Sequence, residues 1–105
     1  MKTQPPEVKS NPRTVWGAVN GDGSIANQGS GDWSVVRTGP GGYTIIFSPP
    51  FKTKPIVTMT GMTWNVIFLA GLATQNTPYL VTVSGWVGAT QTDTAFYFTA
   101  VGIGR

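Results

Sequence analysis

The sequence predicts an all-β fold, a small antiparallel β-sandwich or barrel, on three observations. Eight β-prone runs recur at a spacing of about 8–12 residues, and Gly, Asn, Asp or Pro separates them. No stretch of normal helix length shows a helical periodicity of apolar residues. The 105 residues include 4 Trp, 5 Phe and 3 Tyr although only 10% are charged, so the chain can form a core. Of the two architectures, we predict the sandwich.

The eight runs follow one another from Thr14 to the end of the chain. They are, in order, TVWGAV, SIANQGSGD, WSVVRT, YTIIFS, PIVTMTGM, WNVIFLAG, YLVTVSGW and TDTAFYFTAVGIG. The NGDG at Asn20–Gly23 is typical of a hairpin, and the GPGG at Gly39–Gly42 predicts a second turn. Pro49 and Pro50 end the fourth run, because proline cannot donate to a ladder and restricts the residue before it.

The first residues differ in composition from the rest of the chain. Residues 1–13 are polar and Pro-rich and show no periodic pattern of apolar residues, which indicates a linker or arm joined to something upstream. Residues 14–105 form the predicted β-domain. The start, MKTQPPEVKSNPR, lacks the apolar core of a signal peptide, so we expect either unconventional export or a piece of a longer chain.

Alternation predicts which side chains share a face of the last strand. One face carries Phe96, Phe98, Ala100 and Gly102; the other carries Tyr97, Thr99, Val101 and Ile103. The second face is not polar, so it needs cover from another surface. A small domain whose strands are apolar on both faces is a candidate for burial in an oligomer.

The sequence lacks the residue types that enzymatic catalysis most often uses. There is no His and no Cys, which removes the commonest general base, disulfides and thiolate metal sites. Asp22, Asp32 and Asp93 stand beside Gly, Ser or Thr in turn-like sequence, where Asp caps its own backbone. We predict no catalytic residue and no cofactor, and therefore no enzyme.

Metal, nucleic-acid and membrane binding are disfavoured as well. Asn20, Asp22 and Ser24 alternate as in a calcium loop, but the acidic residue that would complete such a loop is missing, and a hairpin turn explains them. The net charge of +3 is spread along the chain and forms no basic stripe. No run approaches the roughly 18 apolar residues of a membrane span.

Three segments of the sequence resemble a known type of domain. They are VWGAVNGDGSI, GSGDWSVVRTGPGGYTIIFSPPFKTKPIVTMTG and DTAFYFTAVGIGR. Together they resemble the small β-domains at the C-terminal ends of trimeric bacterial and phage fibre proteins, and the order of elements is similar to that of H-type lectins. The resemblance spans about Val15 to Arg105. It implies a homotrimeric sandwich after a fibre shaft, located on a cell surface, outside the cell or on a virion tail fibre. No sugar-binding motif of these lectins aligns residue by residue.

Candidate binding residues come from the aromatic side chains and the loops. Phe47, Phe96 and Phe98 are predicted core residues from their phase within strong strands. Trp33, Trp64 and Trp86 stand at predicted strand edges, where a ring can face solvent or a neighbouring subunit, and Trp64 and Trp86 are also candidates to stack on a sugar. The remaining candidates come from the connections LATQNTPY and VGATQTD and from the last residue of the chain. They are Gln75, Asn76, Tyr79, Gln91, Asp93 and Arg105.

Two functions follow from these observations. The first is a non-enzymatic fibre tip that binds a cell-surface glycan or another surface receptor. The second is a purely structural domain that trimerises and caps a fibre. Lys52 and Lys54, between the fourth and fifth runs, are interpreted as charges that keep a turn at a sheet edge solvated, and not as a binding site.

Overall fold

The computed structural model describes residues 11–62, 67–70 and 77–104, and the described residues form an antiparallel all-β fold of nine strands. The strands are β1 (Pro12–Val19), β2 (Ile25–Asn27), β3 (Trp33–Gly39), β4 (Gly42–Phe47), β5 (Ile56–Gly61), β6 (Ile67–Ala70), β7 (Leu80–Val87), β8 (Thr90–Gln91) and β9 (Phe96–Ile103).

The strands pair into two sheets. The first sheet has the order β2-β1-β9-β5, and the second has the order β3-β4-β7-β6 with β8 paired to the end of β7. In the centre of the first sheet, β1 and β9 pair along their whole length, from Pro12 opposite Ile103 to Val19 opposite Phe96. The first and last strands of the chain are therefore neighbours, which confirms the predicted antiparallel all-β class.

The predicted turns are present. Residues 20–24 connect β1 to β2, where the Gly23 N–H donates to the Asn20 carbonyl over 2.9 Å. The GPGG segment turns β3 into β4, with Gly39 opposite Gly42. After Pro49 and Pro50 the chain leaves the second sheet and enters the first as β5. Strand β8 was not predicted, because two residues are too few to show an alternation.

The core lies between the two sheets. Its first-sheet members are Val15, Val19, Phe96, Phe98 and Ala100, and its second-sheet members are Trp33, Tyr43, Ile45, Phe47, Val81 and Val83. The rings of Tyr43 and Phe96, from opposite sheets, have centroids 5.2 Å apart. Phe47, Phe96 and Phe98 are buried, as their strand phase predicted.

Trp33 corrects one prediction from the sequence. The residue was expected at a strand edge that faces solvent or a neighbour, but it is only 4% exposed. Its ring packs edge-on against Phe98 at 4.7 Å and lies over Gly17, where a Cβ would come within 2.1 Å of the indole. The indole N–H donates to the Gln28 carbonyl over 2.7 Å, so burial leaves no unpaired donor. The missing side chain at Gly17, on another strand, makes the room that Trp33 fills.

Ion pairs tie the sheets to the connections at their rims. Arg13 donates from Nε and Nη2 to the Asp32 carboxylate at 3.1 and 2.9 Å, and its guanidinium lies 4.7 Å from the centre of the Phe51 ring. Lys52 and Lys54 are exposed in the turn before β5, which is an edge strand of the first sheet. The exposed position of Lys52 and Lys54 agrees with the predicted solvated turn at a sheet edge.

Within residues 11–62, 67–70 and 77–104, no helix is long and apolar enough to cross a membrane.

Candidate functional site

The side of the first sheet that faces away from the core, here called the outer face, exposes large apolar side chains. Register across β1, β9 and β5 gives three rows, Thr14–Val101–Ile56, Trp16–Thr99–Thr58 and Ala18–Tyr97–Thr60. Ile56 is 75% exposed, Tyr97 54%, Val101 48% and Trp16 47%. The predicted apolar second face of the last strand is therefore open to solvent in the single chain.

A groove crosses the outer face between the rings of Trp16 and Tyr97. Its volume is about 350 Å³, near the lower end of the range for small-ligand sites. Besides the two rings it is lined by Thr14, Asn27 and Thr99, with Gly17, Ala18 and Phe98. Tyr97 pairs with Ala18 while Trp16 pairs with Thr99, so the two aromatic residues are diagonal neighbours on adjacent strands. The site is thus an open slot with an aromatic ring on each side.

The loop after β2 holds Trp16 in place. The Trp16 N–H donates to Ser30 Oγ over 3.0 Å, and the Ser30 N–H donates to the Trp16 carbonyl over 3.0 Å. Gly29 has a φ of +56°, and a Cβ there would lie 2.1 Å from the Trp16 carbonyl oxygen and 2.7 Å from Cε3 of its ring. Glycine is therefore required at position 29, because it permits both the left-handed backbone and the close approach to Trp16.

Asn27 supplies the amide of the groove. Its Oδ1 accepts from the Gly29 N–H over 2.9 Å, which fixes the side chain and leaves the Nδ2 amino group as the donor it can offer. The residue is exposed and pairs with Ala18 across the β1–β2 ladder. Ala18, only 3% exposed, lies opposite both Asn27 and Tyr97. Because Ala18 lines the groove, a larger side chain there would project into it.

The chemistry of the groove is neutral and mixed. The described lining residues offer two aromatic rings, the hydroxyls of Thr14 and Thr99 and the amide of Asn27, and none of them is charged. Arg13 is the one charged residue within β1, β5 and β9, and it points away from the outer face toward Asp32 and Phe51. In the described part of the chain, no three acidic side chains gather to hold a metal ion. This arrangement suits a ligand with an apolar surface and several hydroxyl groups.

Half of the binding residues predicted from the sequence lie outside the described residues. These are Trp64, Gln75, Asn76 and Arg105. The other four are Tyr79, Trp86, Gln91 and Asp93, and all four lie outside the lining of the groove.

Three of those four come together at one end of the second sheet. Trp86 pairs with Gln91 across the β7–β8 ladder, and the Gln91 side chain lies over Gly41, where a Cβ would come within 2.7 Å of its Cγ. Asp93 accepts from the Gly41 N–H over 2.7 Å. Tyr79 precedes the other end of β7, about 20 Å away along an eight-residue strand.

Hydrogen bonds within the chain occupy the polar groups of Asp93 and Trp86. Asp93 receives Nε and Nη2 of Arg37 at 3.1 and 2.8 Å as well as the Gly41 N–H. The Arg37 hydrogen bonds, followed by that of Gly41, hold the pKa of Asp93 below its ordinary value. The half-buried Trp86 donates its indole N–H to Ser84 Oγ over 3.1 Å. The geometry gives Asp93 a role in fixing the turn at Gly41.

The residues of the groove were present in the sequence patterns but were not combined. Val15 and Val19 point to the core, so alternation along β1 directs Trp16 outward. Alternation along β9 had already placed Tyr97 and Thr99 on its apolar outer face. The missing step was the pairing of the first strand with the last, which brings Trp16 and Tyr97 together across about 80 residues of chain.

Comparison with protein-family models, with curated proteins and with solved structures found no match. The likeness to fibre-tip domains and H-type lectins therefore stays an expectation from the sequence.

Proposed function

We propose that this chain is a non-enzymatic recognition domain that binds glycans in the groove between Trp16 and Tyr97. The observation that supports it is the pair of exposed rings on adjacent strands of a rigid sheet. One face of a pyranose ring presents C–H groups, which lose water favourably against an aromatic ring. The hydroxyls of Thr14 and Thr99 and the amide of Asn27 can then hydrogen-bond the sugar hydroxyls.

The proposal includes the setting that the sequence resemblance implies. The domain would form the tip of a trimeric fibre or adhesin, outside the cell or on a virion tail fibre, with the residues before β1 as the connection to a shaft, since Pro12 and Arg13 already belong to β1. Each groove is small and open, so a single site would bind weakly. Three sites on one tip would raise the apparent affinity through avidity.

The test is a glycan array followed by titration of any glycan that binds. We expect Trp16→Ala to weaken binding at least about tenfold, because it removes one of the two stacking surfaces. Trp86→Ala is the matched control, since it removes a tryptophan from the outside of the second sheet and should leave binding unchanged. An array with no binding, or equal losses in the two variants, would reject the groove as a glycan site.

A second function, trimerisation and capping of a fibre, is favoured by the same exposed surface. Ile56 and Val101 extend the apolar outer face beyond the groove, and contiguous exposed apolar surface marks protein interfaces as well as ligand sites. In that case a neighbouring subunit would cover the outer face, including Trp16 and Tyr97.

Light scattering of charged variants separates the two functions. Ile56→Lys places a charge on the outer face away from the groove, and Val36→Lys places one on an exposed valine of β3. A cap that assembles through the outer face would dissociate with Ile56→Lys and not with Val36→Lys, and it would bind no glycan. A glycan-binding domain would keep its affinity in both variants. A monomeric wild-type chain would remove the trimer from both proposals.

A further inference from the structure

The charges of the described residues lie away from the groove. Arg13 pairs with Asp32, and Arg37 pairs with Asp93 at the rim of the second sheet. Asp22 accepts from the N–H and the hydroxyl of Ser24 within its own turn, at 2.9 and 2.6 Å. No described basic or acidic side chain lines the groove.

Two described lysines stand before β5, the edge strand on the opposite side of the first sheet from β2. Lys52 and Lys54 precede β5, whose first residue, Ile56, belongs to the row with Val101. From that row the groove includes only Thr14, on β1, and its two aromatic rings belong to the next two rows. Strand residues two apart are separated by about 6.6 Å, so the rows with the rings lie at least one such step farther from the lysines.

A neutral groove discriminates between sugars by charge. A carboxylate or sulfate placed between the two rings would lose part of its hydration without gaining a cation, which is unfavourable. A neutral pyranose loses only the hydration of hydroxyls, which the Thr14 and Thr99 hydroxyls and the Asn27 amide can replace.

Resting on the glycan-binding function proposed above, we infer that the groove between Trp16 and Tyr97 selects neutral glycans of one or two sugar rings and rejects acidic ones. The volume of about 350 Å³ sets the size, since it is at the lower end of the range for small-ligand sites. The ligand class is therefore a neutral pyranoside with a continuous C–H face, and acidic sugars and sulfated sugars are excluded from it. Binding depends on ring contact and neutral hydrogen bonds, and so it is insensitive to ionic strength.

The test uses matched glycans that differ only in charge, measured with the full chain. The set is a panel of neutral gluco- and galacto-configured disaccharides, each beside its uronic or sulfated counterpart. We expect each neutral form that binds to do so at least about tenfold more tightly than its acidic counterpart. We also expect its affinity to change less than about twofold between about 50 mM and about 500 mM sodium chloride.

Two variants tie the result to the groove. Trp16→Ala should abolish the binding of neutral glycans and, with it, the preference for neutral over acidic glycans. If Trp16→Ala does not fold, Tyr97→Ala, which truncates a half-exposed ring, provides the same readout. Acidic glycans that bind as tightly as neutral ones, or an affinity that falls steeply with salt, would overturn the inference while glycan binding stands. Neutral binding that survives both variants would also overturn it. A panel without any binding would reject the glycan-binding function and the inference together.

Discussion

Trp16 and Tyr97 lie diagonally across the β1–β9 ladder, on the same face of the first sheet, with a groove between their rings. Each ring is about half exposed, although large aromatic side chains usually bury most of their surface. The strands that bear them are held by eight consecutive residue pairs, so the spacing of the rings is set by the ladder. Two rings fixed in this way form a preorganised surface, which lowers the entropy lost when a ligand binds.

The first prediction concerns the loop that positions Trp16. Gly29→Ala forces an alanine into a left-handed backbone and brings its Cβ against the Trp16 carbonyl and ring. We expect a loss of unfolding free energy of about 1–2 kcal/mol or more, and weaker glycan binding because the ring is displaced. Gly31→Ala is the matched control: its φ of +83° is also left-handed, but no atom lies within 4 Å of the added Cβ. Urea denaturation of both variants checks this; equal losses would contradict the contact with Trp16.

The second prediction concerns the packing of Trp33 against Gly17. A Cβ at position 17 would lie 2.1 and 2.6 Å from two atoms of the indole, so Gly17→Ala must push the buried ring aside. Overpacking of this kind costs about 1–3 kcal/mol. Gly39→Ala, where an added Cβ meets no atom within 4 Å, should change stability far less. Thermal unfolding compares the two, and an unaffected Gly17→Ala variant would contradict the buried position of Trp33.

The third prediction concerns the buried hydroxyl of Tyr43. It donates to the Gly21 carbonyl over 2.8 Å and accepts from the buried Thr94 N–H over 3.2 Å. Tyr43→Phe leaves that N–H unpaired, so we expect a loss of about 1–3 kcal/mol in unfolding free energy. Tyr97→Phe removes a hydroxyl from an exposed ring and should change stability little. Equal and small effects of the two substitutions in urea titrations would contradict the hydrogen bonds of Tyr43.

The fourth prediction concerns stability in acid. Because the pKa of Asp93 is lowered in the folded chain, first by Arg37 and then by Gly41, the folded state holds fewer protons than the unfolded state in acid. Stability from this carboxylate is present above the ordinary value of 3.8 and is lost as the pH falls through the lower folded pKa. Asp93→Asn should therefore flatten the curve of unfolding free energy below about pH 4.

The acid curve will not become flat in that variant. Hydrogen bonds from the Ser24 hydroxyl and N–H lower the pKa of Asp22 as well, so part of the acid dependence remains. Urea titrations from about pH 2 to about pH 7 provide the measurement. A slope for Asp93→Asn as steep as that of the wild type would contradict the Arg37 and Gly41 contacts.

Local patterns predicted most of the fold. The alternation in YTIIFS and in the last strand identified the core faces, and NGDG and GPGG predicted the β1–β2 and β3–β4 hairpins, because each pattern depends only on neighbouring residues. The burial of Trp33 could not be predicted in this way. It depends on Gly17, a residue of another strand that makes room for the indole.

The groove was beyond local patterns for the same reason. Sequence reasoning assigned binding to loops because loops commonly hold binding residues, and it selected Gln91 and Asp93 from them. In the structure Asp93 pairs with Arg37 and the turn at Gly41, while the exposed ring pair arises in the middle of a sheet. Only the register of the first strand against the last brings Trp16 beside Tyr97. No local sequence pattern indicates that two strands so far apart in sequence pair with each other.

The most direct test of the account is the mapping of a neutral methyl pyranoside onto the ¹⁵N-labelled chain by amide chemical shifts. We expect the ligand to shift the amides of Gly17, Ala18, Phe98 and Thr99, which line the groove, and the indole N–H of Trp16. The amides of Gln91 and Asp93, at the end of the second sheet, should not move. Shifts confined to Gln91, Asp93 and the neighbouring Trp86, or no shifts at saturating ligand, would contradict the groove as the binding site.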